Sequence, residues 1–229
     1  MERVDCILFD LDGTLVESAP EIADAVNDLL VAQGLAAVSE QLVADWIGHG
    51  TGELMAQAWA HATGVARAPL PADALQRLMP FFAEFYARRC GTRSRLYPTV
   101  RETLLALRAR GVRSAVVTNK EQRYTAQLLL AHQIRHYFDL VVSGDSLAEK
   151  KPDPLPVRYC LDALQVAPSR ALFVGDSEID VATARAAGLR VWAVPYGYNM
   201  GRPIVEAGPD RVIATLAELL ALESRRRAA

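Results

Sequence analysis

Apolar residues fall along this chain in two rhythms. Short unbroken runs rich in β-branched residues recur at "VDCILF" (4–9), "SAVVT" (114–118), "LVVS" (140–143), "ALFVG" (171–175) and "VWAV" (191–194). Runs of this length and composition predict strands buried on both faces. Between the later runs the spacing becomes helical. One such stretch is 121–132, where Leu128 and Leu129 follow Tyr124 and Thr125; another is "EIDVATARAAG", which Gly188 closes. Strand and helix in alternation predict an α/β fold, a doubly wound parallel sheet.

The first part of the chain breaks that rhythm, with no strand pattern between the first run and residue 114. Ser18 and Glu21 have capping-box spacing ahead of a helical face made of Ile22, Ala25, Val26, Leu29 and Leu30, and Gly34 ends it. Helical patterns continue at 39–47, 52–63 and 72–89, broken at Gly48, Gly50, Gly64 and the Pro69/Pro71 pair. Thr99 and Glu102 repeat the capping spacing and open a helix over 100–110. The expected organisation is an α/β core from residues 1–15 and 94–229 with an all-helical insertion, 16–93, acting as a cap over the turn that precedes it. Hinges are expected near 15–18 and 91–98, where Gly91 and Pro98 punctuate the return.

Composition narrows the partners. The 229 residues are 51% hydrophobic and 23% charged with a formal net charge of −2, which gives no electrostatic case for a nucleic-acid or membrane partner. Arg225, Arg226 and Arg227 read as a solvated helix end. Cys6, Cys90 and Cys160 are three in number and widely spaced, without the pattern of a disulfide framework or zinc site; Cys6 is expected to pack as a small hydrophobe. With no basic segment leading into an apolar one at the N-terminus, the expected compartment is the cytoplasm.

Chemistry gathers where the strands end. The first run stops at Asp10-Leu11-Asp12-Gly13-Thr14, the second at Thr118-Asn119-Lys120, and the fourth at Gly175-Asp176-Ser177-Glu178-Ile179-Asp180. A further loop, "EKKPDP" (149–154), carries Lys150 and Lys151 ahead of a proline. Ligands of open α/β sheets bind outside the carboxyl ends of strands, so acids, hydroxyls and an ammonium group should converge there. Carboxylates at the end of an apolar strand call for a charge partner or a metal.

DxDGT, TN, KP and GDSxxD, in this order, resemble the haloacid dehalogenase superfamily of phosphotransferases, over essentially the whole chain. The resemblance implies that Asp10 attacks phosphorus to form an aspartyl-phosphate, and that Asp12 protonates the leaving group and then activates water. It implies Mg²⁺ held by the Asp10 carboxylate, the Asp12 carbonyl and the Asp176 carboxylate, with Asp180 supporting that shell or orienting Lys151. Thr118 and the Asn119 amide, with Lys151, would hold phosphate oxygens, and Gly13 and Thr14 would shape the turn. On this reading Asp180 also suits a helix N-terminus and Ser177 an N-cap, while Lys150 is solvated.

Charge counting makes the metal a requirement of that scheme. Asp10, Asp176 and Asp180 sum to −3, which Mg²⁺ and Lys151 bring to zero. Without the ion a phosphate dianion meets a site of −2, and like charges ~4 Å apart repel by ~4 kcal/mol at an effective dielectric near 20.

The substrate is signalled more weakly. "WIGHG" (46–50) and "YGYNMGRP" (196–203), with "VTNK", "GDSLAEKKPDP" and "LFVGDS", are similar to bacterial phosphoglycolate phosphatases. That similarity implies a small phosphorylated metabolite, 2-phosphoglycolate, hydrolysed to glycolate and phosphate. Gly48, His49 and Gly50 are the candidate specificity residues. His49 stands where an asparagine is associated with that family, and reads either as a substrate-facing residue or as a polar turn residue. Arg93 and Arg95 read as solvated rather than as carboxylate ligands. The alternatives are a phosphatase of sugar phosphates such as N-acetylmuramic acid 6-phosphate, a pyrophosphatase, a sugar-phosphate mutase, or a binding module without catalysis. The motifs carry no oligomeric state.

Overall fold

The computed structural model describes residues 3–64 and 72–223. The Pro69/Pro71 break and the Arg225–Arg227 run lie outside the described residues. In chain order the regular elements are β1 (Cys6–Phe9), β2 (Val16–Glu17), α1 (Ala19–Ala32), α2 (Glu40–Trp46), α3 (Thr51–Thr63), α4 (Ala72–Arg89) and β3 (Arg95–Leu96). There follow α5 (Val100–Ala109), β4 (Arg113–Val117), α6 (Gln122–Ala131), β5 (Leu140–Val142), α7 (Leu155–Leu164), β6 (Ala171–Gly175), α8 (Glu178–Ala186), β7 (Arg190–Ala193) and β8 (Arg211–Val212).

Six strands form one parallel sheet in the order β5-β4-β1-β6-β7-β8. Its centre is β1, with Phe9 in register with Val116 of β4 and Val174 of β6. The chain leaves β1 toward one side through β4 and β5, then returns to build the other side from β6. That reversal puts a crevice at the carboxyl end of β1, the usual ligand position in such sheets.

Strand alternation sorts the core into two faces. Ile7, Phe9, Val116, Leu172 and Val174 pack with α5 and α6, and this cluster continues without a break into Val43, Met55 and Phe82 of the helices between β2 and β3. Cys6, Leu8, Ala115, Val117 and Phe173 pack on the opposite face with Val157 and Cys160 of α7 and Ala184 of α8. Both faces of β1 are fully covered, which explains why its sequence reads as an apolar run rather than an alternating one. The three cysteines are free and buried, and burial pushes each thiol up to about 12.

The helices α1 to α4 occupy the interval expected to be helical, and the face of α1 carrying Ile22, Ala25, Val26, Leu29 and Leu30 is buried. The connections into and out of this helical segment pair with each other: β2 and β3 form a two-residue antiparallel ladder, Val16 opposite Leu96 and Glu17 opposite Arg95. Strands of two residues, here β2, β3 and β8, carry no periodic signal and are absent from the sequence expectations.

Neither expected capping box forms. Ser18 is the N-cap of α1, but its hydroxyl donates to Asp12 Oδ1 at 2.6 Å instead of serving the helix. The buried amides of Ser18 and Ala19 donate to the Tyr198 hydroxyl, at 3.0 and 2.9 Å. Glu21 turns away from its own helix; its Oε2 accepts from the backbone N–H groups of Gly91, Arg93 and Ser94, at 2.8, 3.3 and 3.0 Å. Distant partners thus displace a local motif and fasten α1 to the returning chain. Thr99, ahead of α5, sits in the left-handed region with φ 69° and no side-chain cap. By contrast, Ser177 and Asp180 do form a capping box on α8.

Candidate active site

The site grows from β1. Asp10 is the first residue past the strand, and its N–H still donates to Val174 O, so the sheet itself fixes its position. The chain then turns tightly. Gly13 has φ 89°, and a side chain there would meet Asp176 Oδ2 at 2.2 Å. Gly197 is equally confined, since a Cβ would lie 2.3 Å from the same oxygen. Two glycines therefore clear the space that Asp176 occupies.

Asp176 follows β6, the neighbour of β1. Its Oδ1 accepts from the Thr14 hydroxyl at 2.6 Å and its Oδ2 from the Tyr198 N–H at 2.5 Å. Thr14, expected to shape its own turn, thus bonds across to the second acidic loop. Lys151 donates to Asp10 Oδ1 at 2.6 Å and Asp180 Oδ1 at 2.7 Å. The other oxygen of Asp180 accepts from the N–H groups of Asp176 and Ser177 and from the Ser177 hydroxyl. Its bonding capacity is largely used up by the capping box and the lysine.

Carboxylate oxygens of Asp10, Asp176 and Asp180 lie within 4.8 Å of one another, all three residues buried. Burial, opposed by the Lys151 ammonium and reinforced by the neighbouring Asp180, raises Asp10 to about 7. Burial followed by repulsion from Asp10 and Asp180 drives Asp176 far above the ordinary carboxylate range. Burial works against the Lys151 ammonium, but Asp10 and Asp180 carry the net shift upward, so it stays charged. Hard oxygen donors, a carboxylate without a cation of its own, and an acid excess around one lysine fit a divalent cation.

Asp12 faces the covering helices. Beside the Ser18 bond, both of its oxygens accept from Lys120 Nζ at 3.1 Å. Burial disfavours the Lys120 ammonium, while Asp12 and Cys90 outweigh it and raise the group. Thr118 and Asn119 stand at the end of β4. The Thr118 Oγ1 accepts from the Lys120 N–H at 3.2 Å. The Asn119 side-chain amide donates to both Gly48 O and Lys151 O, at 2.9 Å each, and so joins the α2–α3 loop to the lysine's loop.

Asp10, Asp12, Thr118, Asn119 and Lys151 line a single cavity with Gly48 and Gly50; its roof is Ile22, Leu54, Phe82 and Tyr86. His49 is outside that lining; its carbonyl accepts from Lys150 Nζ at 2.8 Å, which ties an exposed lysine of the core to the roof. Arg93 and Arg95 form surface ion pairs with Asp24 and Glu17. Lys120, Tyr198 and Glu21 carry contacts that the motifs did not assign. For Lys120 a signal existed, since it stands three residues beyond the end of β4, at the rim. Tyr198 and Glu21 act across long chain separations and left no local one.

A buried acid–lysine centre thus stands at the carboxyl rim of a parallel sheet, roofed by helices, where open α/β folds bind their ligands. Residues 7–194 match the family model of haloacid dehalogenase-like hydrolases, and the chain belongs to that family. It is a phosphatase. It is 41% identical over 215 residues to the phosphoglycolate phosphatase of Nitrosospira multiformis, covering 94% of this chain and 93% of that one. It is 39% identical to the phosphoglycolate phosphatase of Vibrio parahaemolyticus, over 96% of each chain. The crystal structure of a protein from Haemophilus somnus predicted to be a phosphoglycolate phosphatase superposes with a TM-score of 0.89 at 39% identity, over 95% of this chain and 97% of that one. CbbY of Rhodobacter sphaeroides, solved with xylulose-(1,5)-bisphosphate, superposes at 0.78 with 27% identity, over 96% and 99%. No helix among the described residues is long and apolar enough to cross a membrane.

Proposed function

We propose that the protein hydrolyses 2-phosphoglycolate to glycolate and phosphate, with Asp10 as nucleophile and Mg²⁺ as cofactor. The observation that carries the chemistry is the placing of Asp10 on the cavity, paired with Lys151 and beside a second acidic loop. Asp10 attacks phosphorus, the ester oxygen leaves, and an aspartyl-phosphate forms. Asp12 gives the leaving oxygen its proton, then takes one from the water that releases phosphate. Lys151 and the Thr118 hydroxyl, with the Asn119 amide, neutralise and orient the phosphate oxygens. The Asp10 and Asp176 carboxylates with the Asp12 carbonyl would hold Mg²⁺, with Asp180 in support. When bound, the ion offsets the acid excess and stabilises charge on the transferring group.

The cavity is small, ≈ 60 Å³ with room for roughly five waters, a scale that supports a small ester. Names given to relatives at about 40% identity support the same substrate. Residues 16–93 would then act as a cap that opens for exchange about the 15–18 and 91–98 connections and closes to exclude water.

The test is kcat/KM for 2-phosphoglycolate, N-acetylmuramic acid 6-phosphate, pyrophosphate and p-nitrophenyl phosphate, each with Mg²⁺ and with EDTA. Phosphoglycolate should lead the panel and EDTA should abolish turnover. A sugar phosphate ahead by an order of magnitude would overturn the substrate, and full activity in EDTA the cofactor.

A further inference from the structure

The charges of the cavity are shared unevenly between its two ends, and this bears on which leaving group the phosphatase accepts. Two ammonium groups line it among the described residues, Lys120 and Lys151. Lys151 is engaged at 2.6 and 2.7 Å by two carboxylates. The ion pairing of Lys120 is looser. It meets one carboxylate, Asp12, with both contacts at 3.1 Å, beyond the roughly 2.7–2.9 Å of a tight charge-assisted bond. An ammonium has three N–H donors and no acceptor, so this one retains capacity.

Its surroundings single it out. Lys120 is 7% exposed, and its Nζ stands 4.8 Å above the Tyr86 ring. Ile22, Leu54 and Phe82 on the wall around it offer no polar group to an anion, and Tyr86 adds its ring and a buried hydroxyl. Of the acids lining the cavity, Asp10 is paired with Lys151 and Asp12 with Lys120, while Glu121 is partly exposed and screened by solvent. β4 and β6 flank β1, so Lys120 lies on the opposite side of Asp10 from Asp176. Asp12, the acid proposed to meet the leaving oxygen, is the carboxylate that Lys120 touches, and it stands outside the acidic cluster of Asp10, Asp176 and Asp180. A leaving oxygen at Asp12 brings the remainder of its alcohol to Lys120.

We infer that Lys120 is a specificity-determining residue whose ammonium receives the carboxylate of an acidic leaving group, dividing its donors between that carboxylate and Asp12. The inference rests on the phosphoglycolate reading and goes past it by assigning the acid end of the substrate to one side chain. α3 adds to the same preference, since it begins at Thr51 on the cavity and Gly50 brings no side chain to cap its first amides.

The experiment compares kcat/KM for 2-phosphoglycolate and 2-hydroxyethyl phosphate, in which an alcohol replaces the carboxylate, at saturating Mg²⁺. Wild type should prefer the carboxylate ester. Lys120→Met should lower that preference by about tenfold to hundredfold, the worth of a hydrogen bond to a charged group. Lys120→Arg, which keeps the charge, should retain most of it. Because Lys120 also touches Asp12, rates on both esters will fall in Lys120→Met; the ratio isolates the carboxylate. An unchanged ratio in Lys120→Met overturns the inference and leaves phosphoglycolate as substrate. A wild type without the preference overturns the substrate reading and this inference with it. If circular dichroism shows Lys120→Met unfolded, Lys120→Gln, which keeps a hydrogen bond to Asp12 without the charge, carries the same comparison.

Discussion

Asp176→Asn should stabilise the protein when no cation is present. The Asp176 carboxylate lies within 4.8 Å of those of Asp10 and Asp180, while Lys151 bonds to the other two and not to it. At that separation each pair of charged carboxylates repels by about 3 kcal/mol at an effective dielectric near 20. A proton relieves the repulsion, and burial, then Asp10 and Asp180, shift Asp176 well above the ordinary carboxylate range, toward holding one. The unfolded chain ionises near 3.8, so between that pH and the folded value the folded state binds more protons. Stability is therefore fully present below pH 3.8 and declines as pH rises through this window. Holding the proton at pH 7 costs at most about 4 kcal/mol, three pH units at about 1.4 kcal/mol each.

An asparagine avoids that cost and keeps both hydrogen bonds. Its amide oxygen can accept from the Tyr198 N–H, and its NH₂ can donate to the Thr14 hydroxyl, which turns to receive it. Urea unfolding in EDTA at pH 7 should show Asp176→Asn more stable by about 2–4 kcal/mol, with the gap closing toward pH 4. Mg²⁺ should then reverse the order. An ion at a thousand times its Kd adds about 4.1 kcal/mol to wild type, and the variant loses one of its ligands. A variant less stable than wild type in EDTA at pH 7, or a gap that does not depend on pH, would refute the reasoning.

Two other substitutions probe separate parts of the structure. Asp12→Ala should slow esters with poor leaving groups far more than p-nitrophenyl phosphate, which needs little protonation; equal losses on both would count against Asp12 as the acid. Glu21→Ala strands three N–H groups of the 91–94 return, each worth about 1 kcal/mol or more, and should lower urea-unfolding stability by about 3 kcal/mol. A loss under about 1 kcal/mol would show that water replaces the carboxylate there.

The central sheet was legible because β1, β4 and β6 are covered on both faces and had to be written in apolar residues. Asp10, Asp176 and Asp180 were legible because they follow β1 and β6 closely, and Lys151 because it stands before a proline in the loop after β5. What escaped depends on pairs far apart in the chain. The Tyr198 hydroxyl takes over the start of α1, and Glu21 serves a backbone seventy residues away, so the capping spacing at Ser18 pointed to the wrong partner. Thr14 and Tyr198 converge on Asp176 from opposite ends of the sequence. Lys120 was in plain view in "TNK", but only the folded helices show that it is buried against Tyr86.

The three thiols have a consequence for where such a catalyst can work. Peroxides and alkylating agents attack the ionised thiol, and here each cysteine sulfur is shut inside the core and holds its hydrogen to about 12. With oxygen acids and amines at its reactive centre, the enzyme has no thiol there for an oxidant to disable. It should keep turning over under oxidative stress that silences hydrolases built around a cysteine.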